Sequence, residues 1–184
     1  MQSSSPKAQY GMTVIELMFA LAIAAILVGF ASSSVSAVVY ASRTSSGLAS
    51  LVTAITQSRT VATSSEIDVV LCPSSDGASC TSGYHWEDGW IAFQATHGGN
   101  DRSSDEPIVL RQQALPAKVH LITTKGRTRL RVQPGGGNGG SNATFTFCDG
   151  RGPHAASAYA MSNVGNLRAI EPVPENVAMA CSAL

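Results

Sequence analysis

From Met12 to Ala31 nearly every position is apolar, and the only charge in the run is Glu16. These 20 residues, at 1.5 Å rise each, match the ~30 Å hydrocarbon core of a bilayer and predict a membrane-spanning helix. The pattern then changes. Leu48, Leu51, Val52 and Ile55 recur at three- and four-residue steps, the stripe of an amphipathic helix. No proline falls between Thr13 and Thr63. We therefore read one long helix over 12–63, its half at 12–33 embedded in a membrane and its second half packing one face on a globular head at 64–184.

Past Ser64 and Ser65 the spacing shifts toward strands. Ile67–Cys72, Gly89–Gln94 and Pro107–Arg111 are short β-favouring runs. Lys118–Ile122, Thr128–Val132 and Ala143–Cys148 alternate with period two, and Ala158–Ser162 and Asn166–Ile170 follow. Such short strands with turns between them predict an antiparallel head of one or two sheets. The glycine-rich Gly135–Gly140 reads as a hairpin connection between two strands. It fails as a phosphate cradle, having neither a following helix nor a Lys-Ser/Thr pair.

Composition narrows the function classes. Twelve basic and twelve acidic residues cancel, so no global field draws the chain to nucleic acid. Four cysteines make an even set, as in an oxidising compartment. Cys72 and Cys80 flank Pro73 and Asp76-Gly77, which favour a tight loop closed by its own bridge and leave Cys148 to pair with Cys181. Four cysteines allow three connectivities, and this is the preferred one. His85, His97, His120 and His154 are scattered without metal-ligand spacing, so no metal and no cofactor are expected. Asp149-Gly-Arg151-Gly-Pro-His154 gathers an acid and a base, but no Gly-x-Ser-x-Gly elbow accompanies it. Turn chemistry accounts for the segment, and no enzyme is expected.

The short polar leader Met1–Tyr10, Gly11 at its end, and Glu16 five residues into the remaining chain resemble the class III signal of the type IV pilin and type II secretion pseudopilin superfamily. The resemblance implies a leader over 1–11, cleaved between Gly11 and Met12 by a prepilin peptidase, and N-methylation of Met12. Members usually begin with Phe where this chain has Met12, another large apolar residue. The competing reading is an ordinary secretory signal, with Lys7 in the n-region and Val35-Ser36-Ala37 as the cleavage site. Against it, the apolar run exceeds the 7–15 residues of an h-region and contains an acid.

Glu16 has an independent physical reading. A lone acid in a membrane helix costs roughly 2.5–3.5 kcal/mol on insertion scales. Cleavage would leave the Met12 ammonium at a helix N-terminus, within helical reach of a carboxylate. Pairing between Glu16 and the ammonium of a neighbouring subunit would neutralise both charges and fix axial register. We favour that role over a stray acid snorkelling to the interface.

A narrower resemblance lies in the second half. Trp86-x-x-Gly89-Trp90-Ile91-x-Phe93, an acidic loop, Ile108–Arg111 and the later strand–glycine–strand passage are similar to the GspH/FimT/FimU branch. That implies an α+β, pilin-like fold, a long N-terminal helix packed on an antiparallel head of two β-sheets. The two tryptophans then read as core aromatics that identify a fold. The resemblance implies a minor pilin of the FimU kind in a tip or priming complex, with other minor pilins, the major pilin and the prepilin peptidase as partners. Its expected location is the inner membrane, single-pass with a periplasmic head, and then the pilus. The alternatives are a FimT-like DNA-binding minor pilin and a GspH-like pseudopilin.

For DNA, the candidate contacts are Lys125, Arg127, Arg129 and Arg131, in a stretch free of acids from Lys118 to Arg131, together with Arg168. The alternation of Thr128–Val132 puts Arg127, Arg129 and Arg131 on one strand face, which a solvated sheet surface also explains. DNA-binding members share a C-terminal Gly-Arg-x-Arg, whereas here Gly165-Asn166-Leu167-Arg168 keeps only the second arginine. Gly126-Arg127-Thr128-Arg129 fits in letters but lies earlier in the chain. DNA is the alternative partner and not the favoured one.

Overall fold

A computed structural model describes residues 11–182 and 184, with the side chains at 27–34 left undescribed. The expected leader, Gly11 apart, lies outside the described residues. The chain divides into two units, Met1–Val38 and Val39–Leu184.

Helix α1 runs over Val14–Ser65. In the second unit its buried positions are Thr44, Gly47, Leu51, Ala54, Ile55, Ser58 and Ala62, the three-and-four rhythm of a single helix face. Leu48 is half-buried, whereas Val52 points largely to solvent. Most of this stripe is small, so the helix can sit close to the sheets. A Cβ added at Gly47 would meet Leu115 and Phe147 at 3.3 Å.

Eight strands follow: β1 (Val69–Pro73), β2 (Trp90–Gln94), β3 (Ile108–Gln112), β4 (Val119–Thr123), β5 (Leu130–Val132), β6 (Thr144–Asp149), β7 (Ser157–Met161) and β8 (Leu167–Ile170). They form two four-stranded antiparallel sheets, β3-β2-β1-β5 and β4-β6-β7-β8. The fold is therefore α+β, a long helix on two antiparallel sheets.

The Gly135–Gly140 segment departs from the sequence expectation. It joins β5 of one sheet to β6 of the other, so it is a crossover between sheets and not a hairpin turn. Period-two alternation identifies strands but not their pairing partners, and here the loop has a fold of its own. Gln133 N donates to Gly137 O at 2.8 Å, and the buried Asn138 donates through its amide to Ser162 O at 2.8 Å.

Three apolar clusters explain the strand sequences. The main core gathers Leu51 and Ile55 of α1 with Leu71, Trp90 and Leu130 from one sheet and Leu121, Phe145 and Phe147 from the other. Trp86, just before β2, joins it, donating to Thr123 Oγ1 at 3.2 Å and meeting Phe145 edge-on at 5.5 Å. On the far face of the first sheet, Val70, Cys72, Ile91 and Phe93 form a second cluster capped by Cys80. On the second sheet, Ile122 and Cys148 pack under Met179 and Ala180 of a C-terminal helix, α2 (Pro174–Cys181). β1 and β2 are continuously apolar because both their faces are covered.

Each cover is held by a disulfide: Cys72–Cys80 fastens the loop after β1, and Cys148–Cys181 fastens α2 to β6. Where β6 ends, buried Asp149 accepts from Thr44 Oγ1 of α1 at 2.6 Å and from Arg151 NH2 at 2.7 Å. Burial pushes this carboxyl up, and the hydrogen bonds from Arg151 and Thr44 more than reverse it, leaving a pKa of about 2. Gly150 next to it leaves room for Tyr40, whose ring would stand 2.5 Å from an added Cβ.

Two stability predictions follow from these contacts. The loops closed by the bridges span 8 and 33 residues, and loop entropy scales their worth to roughly 2.5 and 3.7 kcal/mol at 25 °C. Replacing Cys148 and Cys181 together by Ser should therefore cost more, in denaturant unfolding, than replacing Cys72 and Cys80. Equal costs would show that the α2 bridge does not act through chain entropy. The Asp149 contribution is complete above its ordinary value near 3.9 and is lost as pH falls through about 2. Between pH 5 and 2 the protein should lose on the order of 2 kcal/mol more than its Asp149→Asn variant, read from melting temperatures at each pH.

Candidate functional site

The candidate residues fall into two regions, one in each unit. In the first, Gly11, Met12 and Thr13 precede α1. Thr13 Oγ1 accepts from Glu16 N at 3.4 Å, and Thr13 O accepts from Leu17 N at 3.2 Å. Thr13 thus takes the N-cap position and Glu16 the third helical position, where a carboxylate meets the positive end of the helix. The signature is Thr-x-x-Glu, a signal in plain letters that the spacing from Gly11 overshadowed. Glu16 is exposed, and its carboxylate has no hydrogen-bond or ion-pair partner among the described residues.

Around it the helix is apolar on every side. Val14, Ile15, Leu17, Met18, Phe19, Leu21, Ile23 and Ile26 are each more than half exposed, and at 100° per residue they cover roughly two-thirds of the circumference, the remaining sector carrying Glu16, Ala20 and Ala24. Among the described residues no helix is long and apolar enough to cross a membrane. The side chains at 27–34, which complete the run expected to do so, lie outside those residues.

The second region is the basic run, and the structure divides it. Lys125 and Arg127 sit in the turn after β4, where Arg127 N donates to Thr124 O at 3.0 Å and Arg127 O accepts from Thr123 Oγ1 at 2.9 Å. Arg127 is thus outside β5, which corrects the expectation of three arginines on one strand face. Gly126 adopts φ +80° to make that turn. Arg129 and Arg131 do share a side, alternating with buried Leu130 and Val132.

That side faces other parts of the chain and not open solvent. Arg129 Nε and NH2 donate to Asp101 Oδ1 at 3.0 and 2.6 Å, and NH1 donates to Thr81 O at 3.1 Å. Arg131 NH1 donates to Asp68 Oδ2 at 2.7 Å, while NH2 reaches Gly98 O, Gly99 O and Asn100 Oδ1 at 2.9, 2.7 and 2.8 Å. The two arginines clamp the loop between β2 and β3. That loop folds around buried Glu106, which accepts from His97 N and Ser103 N at 3.1 and 2.9 Å. Arg102 ties it to the cysteine loop through Ala78 O at 3.1 Å.

Arg168 lies on β8, in the opposite sheet. None of these partners was legible locally, because Asp101 and Asp68 stand 28 and 63 positions from their arginines. Lys125 and Arg127 have no side-chain partner among the described residues. The acid–base pair proposed for scrutiny at Asp149 and His154 is not one, since Thr44 and Arg151 occupy the Asp149 carboxylate.

Residues 6–32 match the prokaryotic N-terminal methylation motif, and residues 48–165 match the family described as type II transport protein GspH. No curated protein sequence matches the chain. In fold it is similar to the type IV minor pilin FimU of Pseudomonas aeruginosa in two crystal forms, with TM-scores of 0.54 and 0.51. Identities there are 15% and 17%, over 70% of this chain and 88% and 92% of FimU. It is also similar to EpsH, the minor pseudopilin of the Vibrio cholerae type 2 secretion system, with a TM-score of 0.48 and 16% identity over 71% of this chain and 98% of that one. At these identities the likeness is one of fold. With more than half of its length matched to the GspH model, and the methylation motif ahead of it, the chain belongs to the GspH family of pilin-like proteins.

Proposed function

We propose that this chain is a minor type IV pilin of the FimU kind, a structural subunit of the tip or priming complex that starts a pilus. In this reading the prepilin peptidase cuts between Gly11 and Met12, Met12 is N-methylated, and residues 12–33 hold the protein in the inner membrane with its head in the periplasm. One observation supports it above the others. A helix exposing large apolar side chains over most of its circumference needs a non-aqueous neighbour, whether lipid or other helices. Its single carboxylate, Glu16, has no hydrogen-bond or ion-pair partner among the described residues.

The mechanism follows from those two facts. The helix moves from lipid into a bundle of like helices, and apolar burial is exchanged for similar burial, so that step is nearly neutral. Direction and register come from charge. Glu16, at the N-terminal turn, pairs with the Met12 ammonium of the neighbouring subunit, an arrangement that satisfies both groups away from water. The other minor pilins and the major pilin are the partners.

The GspH family description favours a second reading, a minor pseudopilin of type II secretion. Two disulfides in a small head suit a filament exposed outside the cell and lean toward the pilus. Neighbouring genes would separate the two, as an operon of minor pilins or of secretion components. The DNA-uptake reading gains nothing from Arg129 and Arg131, whose guanidinium groups are engaged with Asp101 and Asp68.

Glu16→Ala should leave leader cleavage and membrane retention intact while lowering the protein in sheared filaments by at least about tenfold, the equivalent of ~1.4 kcal/mol. Glu16→Lys should be worse, through repulsion of the neighbouring ammonium. Immunoblots of membrane and filament fractions decide the matter: unchanged filament content in Glu16→Ala would overturn the register mechanism.

A further inference from the structure

The run that clamps the β2–β3 loop also walls a cavity of about 380 Å³, lined among others by Asn100, Arg127, Thr128, Arg129, Arg131 and Ser141. No carboxylate lines it. Four cations, Lys125, Arg127, Arg129 and Arg131, stand in this region against the two carboxylates that hold the clamp, Asp101 and Asp68. With Arg129 and Arg131 paired to Asp101 and Asp68, Arg127 is the cation of the lining that has no side-chain partner among the described residues, and Lys125 stands two positions before it.

The walls are set before any ligand arrives. Arg129 and Arg131 are each fixed by several hydrogen bonds, so little side-chain entropy is lost when an anion docks beside them. Neutral donors also remain. Ser141 Oγ accepts from Arg131 N at 3.4 Å, leaving its own hydrogen to donate, and Asn100 accepts through Oδ1, leaving its amide hydrogens.

Shape selects among anions. A duplex presents a phosphate every ~3.4 Å along each strand and rewards a line of free cations. Here Lys125 and Arg127 belong to one turn, and Arg127 lines a single concavity. No aromatic residue lines the cavity to stack a base, and Trp86, Trp90, Phe93, Phe145 and Phe147 are all buried in the core. The volume lies at the lower end of the usual range for small-ligand sites, enough for one or two sugar rings. Hydroxyl and amide groups of Thr128, Ser141 and Asn100 beside a guanidinium suit sugar hydroxyls next to a charged ester.

We infer that this cavity binds a sugar carrying one phosphate or sulfate ester, with Arg127 as its movable cation and Arg129 and Arg131 as fixed walls. This goes beyond the filament role and does not depend on it.

The test is calorimetric titration of the full chain in detergent micelles with glucose 6-phosphate, glucose 6-sulfate and neutral glucose, with a 12-bp DNA duplex as a further arm. Arg127 is exposed and its side chain has no hydrogen-bond or ion-pair partner among the described residues, so Arg127→Gln should keep the wild-type melting temperature. At least one ester should bind while glucose does not, and Arg127→Gln should weaken that binding by tenfold or more. Arg168→Gln, on the other sheet, should leave it unchanged. Which ester binds better identifies the anion. No binding of either ester, or equal binding to Arg127→Gln, overturns the proposal. It is overturned as well if the duplex binds more tightly than both esters and loses affinity equally in Arg127→Gln and Arg168→Gln, the behaviour of an extended nucleic-acid surface.

Discussion

The head rests on one stripe of α1. Leu51 and Ile55 belong to the same apolar cluster as residues from both sheets, so neither sheet has a complete core without the helix. A sheet of four short strands is marginal by itself, and packing against a helix supplies what it lacks. The stripe works because it is narrow and mostly small: Gly47, Ala54, Ser58 and Ala62 surround the two large residues. Larger residues there would push the sheets outward, since interiors are close-packed and tolerate little added volume. The small residues are thus a packing requirement, and the helix propensity lost at Gly47 is offset by the contact it permits with Leu115 and Phe147.

Using one face of each sheet on the helix leaves the other face open, and the two disulfides belong to that second constraint. Val70, Ile91 and Phe93 would be exposed without the loop that Cys80 holds over them. Ile122 would be exposed without α2. Neither cover has much apolar surface of its own. α2 has eight residues, of which only Ala180 is fully buried, and an isolated helix of that length does not persist in water. A covalent tie replaces the burial that these segments cannot provide. The disulfides are therefore placed where non-covalent packing is weakest.

This division also explains what was legible in the sequence. All eight strands could be located, because alternation or short β-branched runs survive in each of them. The helix stripe was half-legible: Leu48, Leu51 and Ile55 announce it, but Gly47, Ser58 and Ala62 carry no hydrophobic signal, and Val52 was counted on a face it does not occupy. α2 left almost no signal, being short, preceded by Pro172 and opened by Pro174. Strand pairing was not legible either, so a crossover between sheets read as a hairpin at Gly135–Gly140. At the candidate site, residue identities were visible but their partners were not, since Arg129–Asp101 and Arg131–Asp68 join positions far apart in the chain.

The same pairs give meaning to the balanced charge. A run of five bases without an acid looks like a surface for a polyanion only while its partners are unseen. Once Asp101 and Asp68 are drawn in, two of those bases serve to hold the β2–β3 loop, and that loop in turn holds the cysteine loop through Arg102. Exposed ion pairs are worth little singly, but here each guanidinium also binds backbone carbonyls, which ties a turn-rich end of the head into one piece. Charge in this protein therefore acts at two kinds of place. In the head much of it is consumed in fixing loops, while Lys125 and Arg127 keep no side-chain partner among the described residues. On the apolar helix it is reduced to one carboxylate with no partner among the described residues, and an unpartnered charge in an apolar setting is most stable when another molecule supplies its counter-charge.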